Sequence, residues 1–427
     1  MERPRSATTQ GALISMKILV LHQYYLMAGQ AGGSRFNEMA RFWTEAGDQV
    51  TVIAGTVDYV SGVKPEKYRG RFLVKENDNG VTVWRCYVPE SYGRSYAGRM
   101  WAFFAFVLSA SAAVMRVERP DVIVASSPPL VIALPALLAA RLRWGRIPWV
   151  FEVRDLWPES AVTTGVLSAD SLLTHTLYGL ERWACRLADR INVLTPAFKD
   201  DIGRRGLADA AKISLIPNGA DLDQFTPGPM YNGIRREFGW GERFVVLYAG
   251  AHGRANAVGQ LVDAAELLQD RPDILIATAG DGNERNMLQF AVRARRLRNI
   301  VFLGAQPKER MPALISAANV GAAVLQNNPT FRTVYPNKVF DYMACCRPTL
   351  LAIDGVARQL VCDQARAGVF VEPENAAAIA NAIRHLADHP AECEEMGANG
   401  RSWVLANASR QALAARYLDL MRELVNH

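Results

Sequence analysis

Residues 244–254 read FVVLYAGAHGR, and this stretch decides the fold class of the chain. Its first five residues are apolar and form a run typical of a buried parallel strand. A loop with Gly250 and Gly253 follows, and then a predicted helix at 261–268. The next predicted strand, 274–278, ends at a second glycine turn, Gly280-Asp281-Gly282. Strands that alternate with helices in this way predict a parallel sheet covered on both faces.

The same alternation continues on both sides of this stretch. Further strands are predicted at 300–303, 320–325, 349–352 and 368–371, with a helix from about Lys338. Upstream, strands are predicted at 17–22, 49–54, 81–88, 122–125, 149–153 and 191–194. The stretch Thr226-Pro227-Gly228-Pro229 lies between the two runs and has little periodicity. Two Rossmann-like α/β domains are therefore predicted, which suits a chain of 427 residues.

We predict four segments along the chain. They are a loose extension at 1–15, an N-terminal domain at 16–208, a C-terminal domain at 209–405, and a last helix at 406–427 that packs back on the N-terminal domain.

Composition excludes several classes of protein. Half of the residues are hydrophobic and 21% are charged, which excludes a disordered or fibrous chain. The six cysteines form no CxxC pair, so neither a zinc site nor a disulfide framework is expected. We therefore expect the protein to be found in a reducing compartment. The first fifteen residues lack the apolar core of a signal peptide, and no apolar run is long enough to span a bilayer.

Positive charge is concentrated in residues 61–119, where ten basic residues stand against five acidic ones. Aromatic residues are interleaved with these charges, as in the run WAFFAFVLSASAAVM at 101–115. This pattern is typical of a helix on an anionic membrane surface, and equally of a buried helix with solvated arginines at its ends. Nucleic-acid binding is not expected, because no recognised reading module accompanies the charge.

The segment YPNKVFDYMACCRP at 335–348 carries the most specific chemistry. Asn337 is predicted to cap a helix, which places Lys338 in the first turn, where the helix dipole disfavours a cation. A lysine suits this position if a phosphate group lies nearby. Asp341 follows one turn later on about the same face, within reach of a ribose diol. The alternative is a surface lysine beside an aspartate that the dipole favours.

These residues resemble the retaining glycosyltransferases of family 4, which have the GT-B fold. The second domain of that family carries an acidic residue in an E-A-M-A-x-G-x-P context, and DYMACCRP at 341–348 matches it with aspartate for glutamate. The family's other motifs occur in order: Gly32-Gly33, IPNGAD at 216–221, Gly280-Asp281-Gly282 and VFLG at 301–304. The resemblance implies two parallel sheets facing across a cleft, with a nucleotide sugar held mainly by the second domain.

Within the family, FEVRDLWPES at 151–160 and PNK at 336–338 resemble bacterial transferases that build surface polysaccharides such as lipopolysaccharide or capsule. These include fucosamine-transferase-like and colanic-acid-type members. The resemblance implies a UDP-linked donor, transfer with retention, and a lipid-linked saccharide acceptor. It also implies a cytoplasmic protein, peripheral on the inner face of the cell membrane, that needs no metal or other cofactor. Asp221-Leu222-Asp223 has the form of a metal-binding DxD, but it lies inside the IPNGAD pattern and is interpreted as a loop.

The sequence departs from the family at several positions. Thr333 stands eight residues before Asp341, where the family has a first glutamate. The family's arginine and lysine after the first strand of the second domain are absent, so Arg254 and Lys338 are assigned by their chemistry to neutralise the diphosphate. The family's N-domain histidine is replaced by Arg154, with Asp155 beside it.

The predicted site follows from these assignments. We expect Asp155, Arg154 and Lys338 to be catalytic, and Glu159 either to contact the acceptor or to cap the next helix. The amides of Gly250–Gly253 are expected to stabilise the leaving diphosphate. The predicted donor-binding residues are Gly33, Gly250, Gly253, Arg254, Gly280, Gly282, Lys338, Val339 and Asp341.

Two other functions fit the same fold. A nucleotide-sugar epimerase would bind the same donor without an acceptor. A catalytically silent, membrane-docked scaffold is conceivable because the first glutamate is missing. A dehydrogenase is not expected, since no dinucleotide fingerprint follows the first strand.

Overall fold

The computed structural model describes residues 15–27, 30, 35–58, 62–90 and 96–426. The predicted extension, apart from Ser15, and the predicted donor-binding residue Gly33 with its neighbour Gly32 lie outside these residues. Two sheets form the chain's two α/β domains, and the predicted strands coincide with observed ones to within two residues at each end.

The first sheet has eight strands: β1 (Lys17–Leu21), β2 (Gln49–Gly55), β3 (Leu73–Asp78), β4 (Val81–Cys86), β5 (Val122–Ser127), β6 (Trp149–Val153), β7 (Arg190–Val193) and β8 (Ile213–Leu215). Their order across the sheet is β3-β4-β2-β1-β5-β6-β7-β8. All neighbours are parallel except β3 and β4, which form an antiparallel hairpin. We did not predict β3, because its sequence LVKEND is mostly polar and it lies at the sheet edge.

The predicted domain boundary at residue 208 is wrong. Strand β8 pairs in parallel with β7, with Ile213 opposite Ile191 and Leu215 opposite Val193, so it belongs to the first sheet. The residue after β8 is also bound to β7, because Asn192 Oδ1 accepts a hydrogen bond from the Ile216 amide at 2.9 Å. The chain therefore leaves the first domain only after β8.

In the part of the chain that the structure describes, six helices accompany the first sheet. Ser171 and Thr195 cap two of them, accepting hydrogen bonds from the amides of Thr174 and Phe198 at 3.1 Å and 3.2 Å. A π-helical turn, Leu138–Arg143, prolongs the third helix. The helices are α1 (Arg35–Glu45), α2 (Tyr96–Val114), α3 (Ala133–Leu137), α4 (Glu159–Thr163), α5 (Leu172–Leu187) and α6 (Pro196–Arg204).

The second sheet is wholly parallel. Its strands are β9 (Phe244–Ala249), β10 (Ile274–Ala279), β11 (Ile300–Gly304), β12 (Val320–Val324), β13 (Thr349–Ala352) and β14 (Gly368–Phe370). Their order is β11-β10-β9-β12-β13-β14. The accompanying helices are α7 (Gly233–Glu237), α8 (Gly259–Leu267), α9 (Arg285–Ala294), α10 (Met311–Ala317), α11 (Asn337–Ala344), α12 (Val356–Arg358), α13 (Ala376–Asp388) and α14 (Pro390–Asn407).

Short turns of other helix types also occur within the described residues. They are Glu66–Tyr68, Leu130–Ile132, Ala210–Lys212, Arg254–Asn256, Lys308–Arg310 and Pro329–Thr333, all 3-10, and the π-helical Gln359–Gln364.

A last helix, α15 (Arg410–Asn426), returns to the first domain and packs against α1. Trp43 donates its indole N–H to the Ala414 carbonyl at 2.9 Å, and its ring lies 5.5 Å from that of Tyr417. Leu413, Tyr417 and Met421 are buried in one hydrophobic cluster with residues of β1 and β2. Helix α15, which lies within the predicted segment 406–427, thus completes the core of the first domain.

The two domains meet across a cleft at the carboxyl ends of their strands, which is where open α/β sheets bind ligands. Residues that follow β6, β7 and β12 (Arg154, Leu194 and Leu325) line one cavity in this cleft. The domains also touch directly, since Thr195 Oγ1 donates to the Thr333 carbonyl at 2.8 Å.

Candidate donor and acceptor site

The two glycine loops of the second domain lie against each other. Gly250 donates its amide to the Ala279 carbonyl at 2.8 Å, and His252 donates to the Asp281 carbonyl at 2.9 Å. Gly280 has φ of +146°, and a Cβ there would lie 1.9 Å from the Gly250 carbonyl oxygen. Only glycine fits this position. The amides of Gly250 and His252 therefore already donate hydrogen bonds within the protein. Their predicted role in binding the diphosphate is wrong for this reason.

Lys338 lies directly over the first of these loops. Its Nζ is 3.8 Å from the centre of the Tyr248 ring, and a Cβ on Gly250 would lie 2.8 Å from it. Among the described residues no hydrogen-bond acceptor meets this buried nitrogen. Burial lowers the pKa of Lys338 to about 7. An ammonium held in this way is poised to pair with an anion.

Helix α11 presents Lys338 from its first turn. The predicted cap is wrong by one residue: Pro336 is the N-cap, and Asn337 is the first helical residue. Both Asn337 and Lys338 line two adjoining cavities, so the N-terminus of α11 lies where the cavities meet.

The first cavity measures about 320 Å³ and extends from Lys338 to Asp341. Burial, followed by the nearby carboxylate of Glu38, raises the pKa of Asp341 to about 7, although Lys308 and Arg410 act in the opposite direction. The other side chains that line it include Asp221, Phe225, Gln306, Met311, Ile315 and Tyr342.

The first domain and α15 also contribute to this cavity. Glu38 of α1 accepts from Lys308 Nζ at 2.5 Å and from Arg410 Nε at 2.7 Å. Asp221 pairs with Arg41 Nη2 at 2.8 Å. Of these residues only Asp221 lies in a motif noted in the sequence. The others come together only through folding, so no local signal marks Glu38, Lys308 and Arg410.

The second cavity measures about 650 Å³ and lies between the domains. Arg154 and Asp155 line it, together with Lys338 from the opposite side. Ser160 donates its hydroxyl to Asp155 Oδ2 at 2.9 Å, and burial raises the pKa of Asp155. The three predicted catalytic residues thus share one cavity.

Two family models match the chain. The "Glycosyl transferase 4-like domain" matches residues 31–219, and "Glycosyl transferases group 1" matches residues 232–403. The two matches meet where the chain passes from one sheet to the other. The chain belongs to the family 4 glycosyltransferases.

Other proteins resemble this glycosyltransferase along most of its length. The glycosyl transferase WcaI of Escherichia coli strain K12, named for colanic acid biosynthesis, is 24% identical over 86% of this chain and 91% of its own. Sucrose-phosphate synthase from Thermosynechococcus elongatus superposes with a TM-score of 0.74 at 21% identity, covering 95% of this chain and 98% of that one. Anabaena Alr3699/HepE in complex with UDP and glucose has a TM-score of 0.71 at 17% identity, with 96% and 100% covered. These structures share the GT-B fold.

Several predicted site residues of the glycosyltransferase line neither cavity. Val339 is fully buried in the core and its amide donates to the Pro336 carbonyl, so it makes no donor contact. A Cβ on Gly282 would lie 2.5 Å from the His252 carbonyl oxygen, so this glycine serves loop packing. Glu159 accepts from the Tyr178 hydroxyl. Gly253 and the exposed Arg254 lie beside the second cavity, which their neighbours Ala255 and Asn256 line.

Helix α2, which contains most of residues 101–115, has one buried face and one exposed face. One face, with Ala102, Phe106 and Ala110, is buried in the core. The other exposes Trp101 and Phe104, each 54% exposed. We call the exposed face, with its neighbours, the α2 surface: Trp101, Phe104, Leu108, Met115 and Leu142, flanked by the exposed Arg116, Arg119, Arg143 and Arg146. In the described part of the chain no helix is both long and apolar enough to cross a bilayer.

Proposed function

We propose that this glycosyltransferase moves a hexose-type sugar from a UDP-linked donor to a lipid-linked saccharide in the synthesis of a bacterial surface polysaccharide. The observation that carries the proposal is the buried amino group of Lys338, which lies between a nucleotide-sized cavity and an interdomain cavity. The diphosphate would lie against Lys338, and the reacting sugar would project into the second cavity.

The first cavity has the chemistry that a nucleoside requires. The Asp341 carboxylate, one turn after Lys338, would accept hydrogen bonds from the two ribose hydroxyls. Met311 and Ile315 offer an apolar wall for the base, with Gln306 close by for its polar edge. Uridine is the base we propose, supported by the same fold binding UDP in the Anabaena protein.

The reaction breaks the bond between the anomeric carbon and the diphosphate, and forms one to an acceptor hydroxyl. Negative charge develops on the departing oxygen, and the Lys338 ammonium is placed to stabilise it. We propose that this cation makes a metal unnecessary. Arg154 and Asp155 would face the sugar and the acceptor hydroxyl, whose proton would pass to the departing diphosphate oxygen. Retention at the anomeric carbon is proposed from the likeness to the retaining family.

The acceptor and the location rest on separate support. The likeness to WcaI supports a surface polysaccharide as the product. The α2 surface combines exposed aromatic side chains with four arginines, and this suits an anionic bilayer. We propose that the enzyme docks there from the cytoplasmic side, so that the second cavity can receive a lipid-linked saccharide.

The decisive experiment incubates the purified protein with UDP-, GDP- and dTDP-linked sugars, with and without a lipid-linked saccharide. We expect a UDP-linked sugar to be consumed faster with the acceptor present. Lys338→Ala should lower turnover by about 100-fold or more, whereas the exposed Lys75→Ala should not. Full turnover of Lys338→Ala would refute the diphosphate assignment. A changed sugar nucleotide formed without acceptor would indicate an epimerase instead, and no rise in melting temperature with any nucleotide would favour a scaffold.

A further inference from the structure

His22 lies behind the second cavity and contacts the side chain of Arg154. It directly follows β1, its amide donates to the Ile53 carbonyl at 2.9 Å, and it is 1% exposed. Its Nε2 lies 3.2 Å from Nη1 of Arg154. His22 itself does not line the cavity, so it can act on a substrate only through another residue.

The chemistry of the two groups fixes the protonation state of His22. A guanidinium can only donate hydrogen bonds, so His22 Nε2 must accept and must carry no proton. Burial, followed by the charges of Arg154 and Arg35, lowers the pKa of His22 well below its ordinary value. Arg35 is itself paired with the buried Glu152 at 3.0 Å. The imidazole is therefore neutral, with its proton on Nδ1.

We propose that His22 is a positioning residue that aims the Arg154 guanidinium into the second cavity. Because the imidazole is neutral, it directs the guanidinium without cancelling its charge. A guanidinium directed in this way can meet the donor sugar, its phosphates or the acceptor. This inference rests on the proposed function, in which Arg154 faces the reacting groups.

The test compares variants that keep or remove the acceptor atom. His22→Gln keeps a hydrogen-bond acceptor, while His22→Phe and His22→Met remove it. We expect the latter two to lower kcat by about tenfold to 100-fold with little change in the donor KM, because a misplaced group near the reacting atoms has costs of this order. His22→Gln should restore most of kcat. His175→Gln, on an exposed turn of α5, is the matched control.

A double variant separates positioning from a general loss of structure. Arg154→Ala should lower kcat at least as much as His22→Phe, and His22→Phe with Arg154→Ala should be no slower than Arg154→Ala alone. Full kcat in both acceptor-lacking variants, or additive losses, would overturn the inference. Full transfer by Arg154→Ala would instead refute the proposed role of Arg154 in the reaction.

Nitrogen NMR of the wild-type protein gives a readout that does not depend on how the variants fold. The His22 ring should have a protonated Nδ1 and a bare Nε2 near neutral pH. An imidazolium, or a proton on Nε2, would overturn the proposed hydrogen bond.

Discussion

Lys308 Nζ lies 2.5 Å from Glu38 Oε1, and this ion pair joins the donor domain to the first helix of the N-terminal domain. Both residues line the cavity that is proposed to hold the nucleotide. Glu38 also accepts from Arg410 at 2.7 Å, at the start of α15. A contact between the domains thus forms part of the wall of the donor cavity.

Lys308→Ala should weaken donor binding. Glu38 keeps Arg410 as a partner, so the variant leaves no buried carboxylate unpaired. Loss of a charged hydrogen bond between the domains, worth about 1.5 kcal/mol, should favour separation of the two domains. The donor dissociation constant should therefore rise about tenfold. Calorimetric titration would measure this, and small-angle scattering should show a larger radius of gyration. Arg310→Ala is the control, because Arg310 pairs with Glu237 inside the donor domain.

Asp341→Asn should change how stability depends on pH. Burial raises the pKa of Asp341 to about 7 in the folded protein, whereas an unfolded aspartate titrates near about 4. Between these values the folded state binds more protons, so this group lowers stability as pH rises through the window. Relative to Asp341→Asn, the wild-type melting temperature should therefore fall from about pH 4 to about pH 7. A constant difference across that window would contradict the prediction.

Donor binding should draw a proton onto Lys338. Its pKa is about 7 in the free protein, and a bound diphosphate raises it by favouring the ammonium. At neutral pH about half a proton should be taken up per donor, and affinity should fall as pH rises. Calorimetry in buffers of different ionisation enthalpy would count the proton, best in an Asp341→Asn background, where Asp341 no longer titrates. Adding Lys338→Met should abolish the uptake, and uptake that survives would assign the proton to another group.

Gly280→Ala should disrupt the floor of the donor cavity. The added methyl would lie 1.9 Å from the Gly250 carbonyl oxygen, at a backbone φ of +146°. We expect a loss of about 3 kcal/mol in the free energy of unfolding, together with loss of nucleotide binding. Gly179→Ala is the matched control. This glycine lies within α5 with no atom near its position, so the change should stabilise the protein by up to about 1 kcal/mol.

Trp101→Glu with Phe104→Glu should abolish docking to anionic vesicles. These side chains are half exposed on α2, and burying them in a bilayer supplies much of the expected affinity. Cosedimentation with vesicles rich in anionic lipid should fall at least about tenfold. Met287→Glu with Phe290→Glu alters an equally exposed apolar pair on α9 of the donor domain and should have no effect. Similar losses in both pairs would indicate non-specific adhesion.

The strands and glycine loops could be predicted because their signals are local. An apolar run such as 244–248 that ends at Gly250 reveals a buried strand and the turn after it. Lys338 and Asp341 share one helix, so their spacing alone predicts that they face one ligand. Pairing across the sheet is not local, and β8 was therefore assigned to the wrong domain.

The contacts of Glu38 could not be predicted for the same reason. Its partners lie 270 and 372 positions away along the chain. A glutamate on an amphipathic helix is ordinarily a solvated residue, and nothing near it in the sequence indicates a buried ion pair. Arg154 was noted from its motif. His22, which contacts it, follows a different strand, and no motif in the sequence marked it.

The return of α15 to the first domain bears on how the enzyme is made. Ribosomes deliver the N-terminal domain first, yet Trp43 stays without Tyr417 and the Ala414 carbonyl until these residues of α15 have been translated. A nascent or truncated product would thus expose the apolar face of α1. This core is complete only when α15 is present, so quality-control proteases have a simple means of telling molecules with a finished core from fragments.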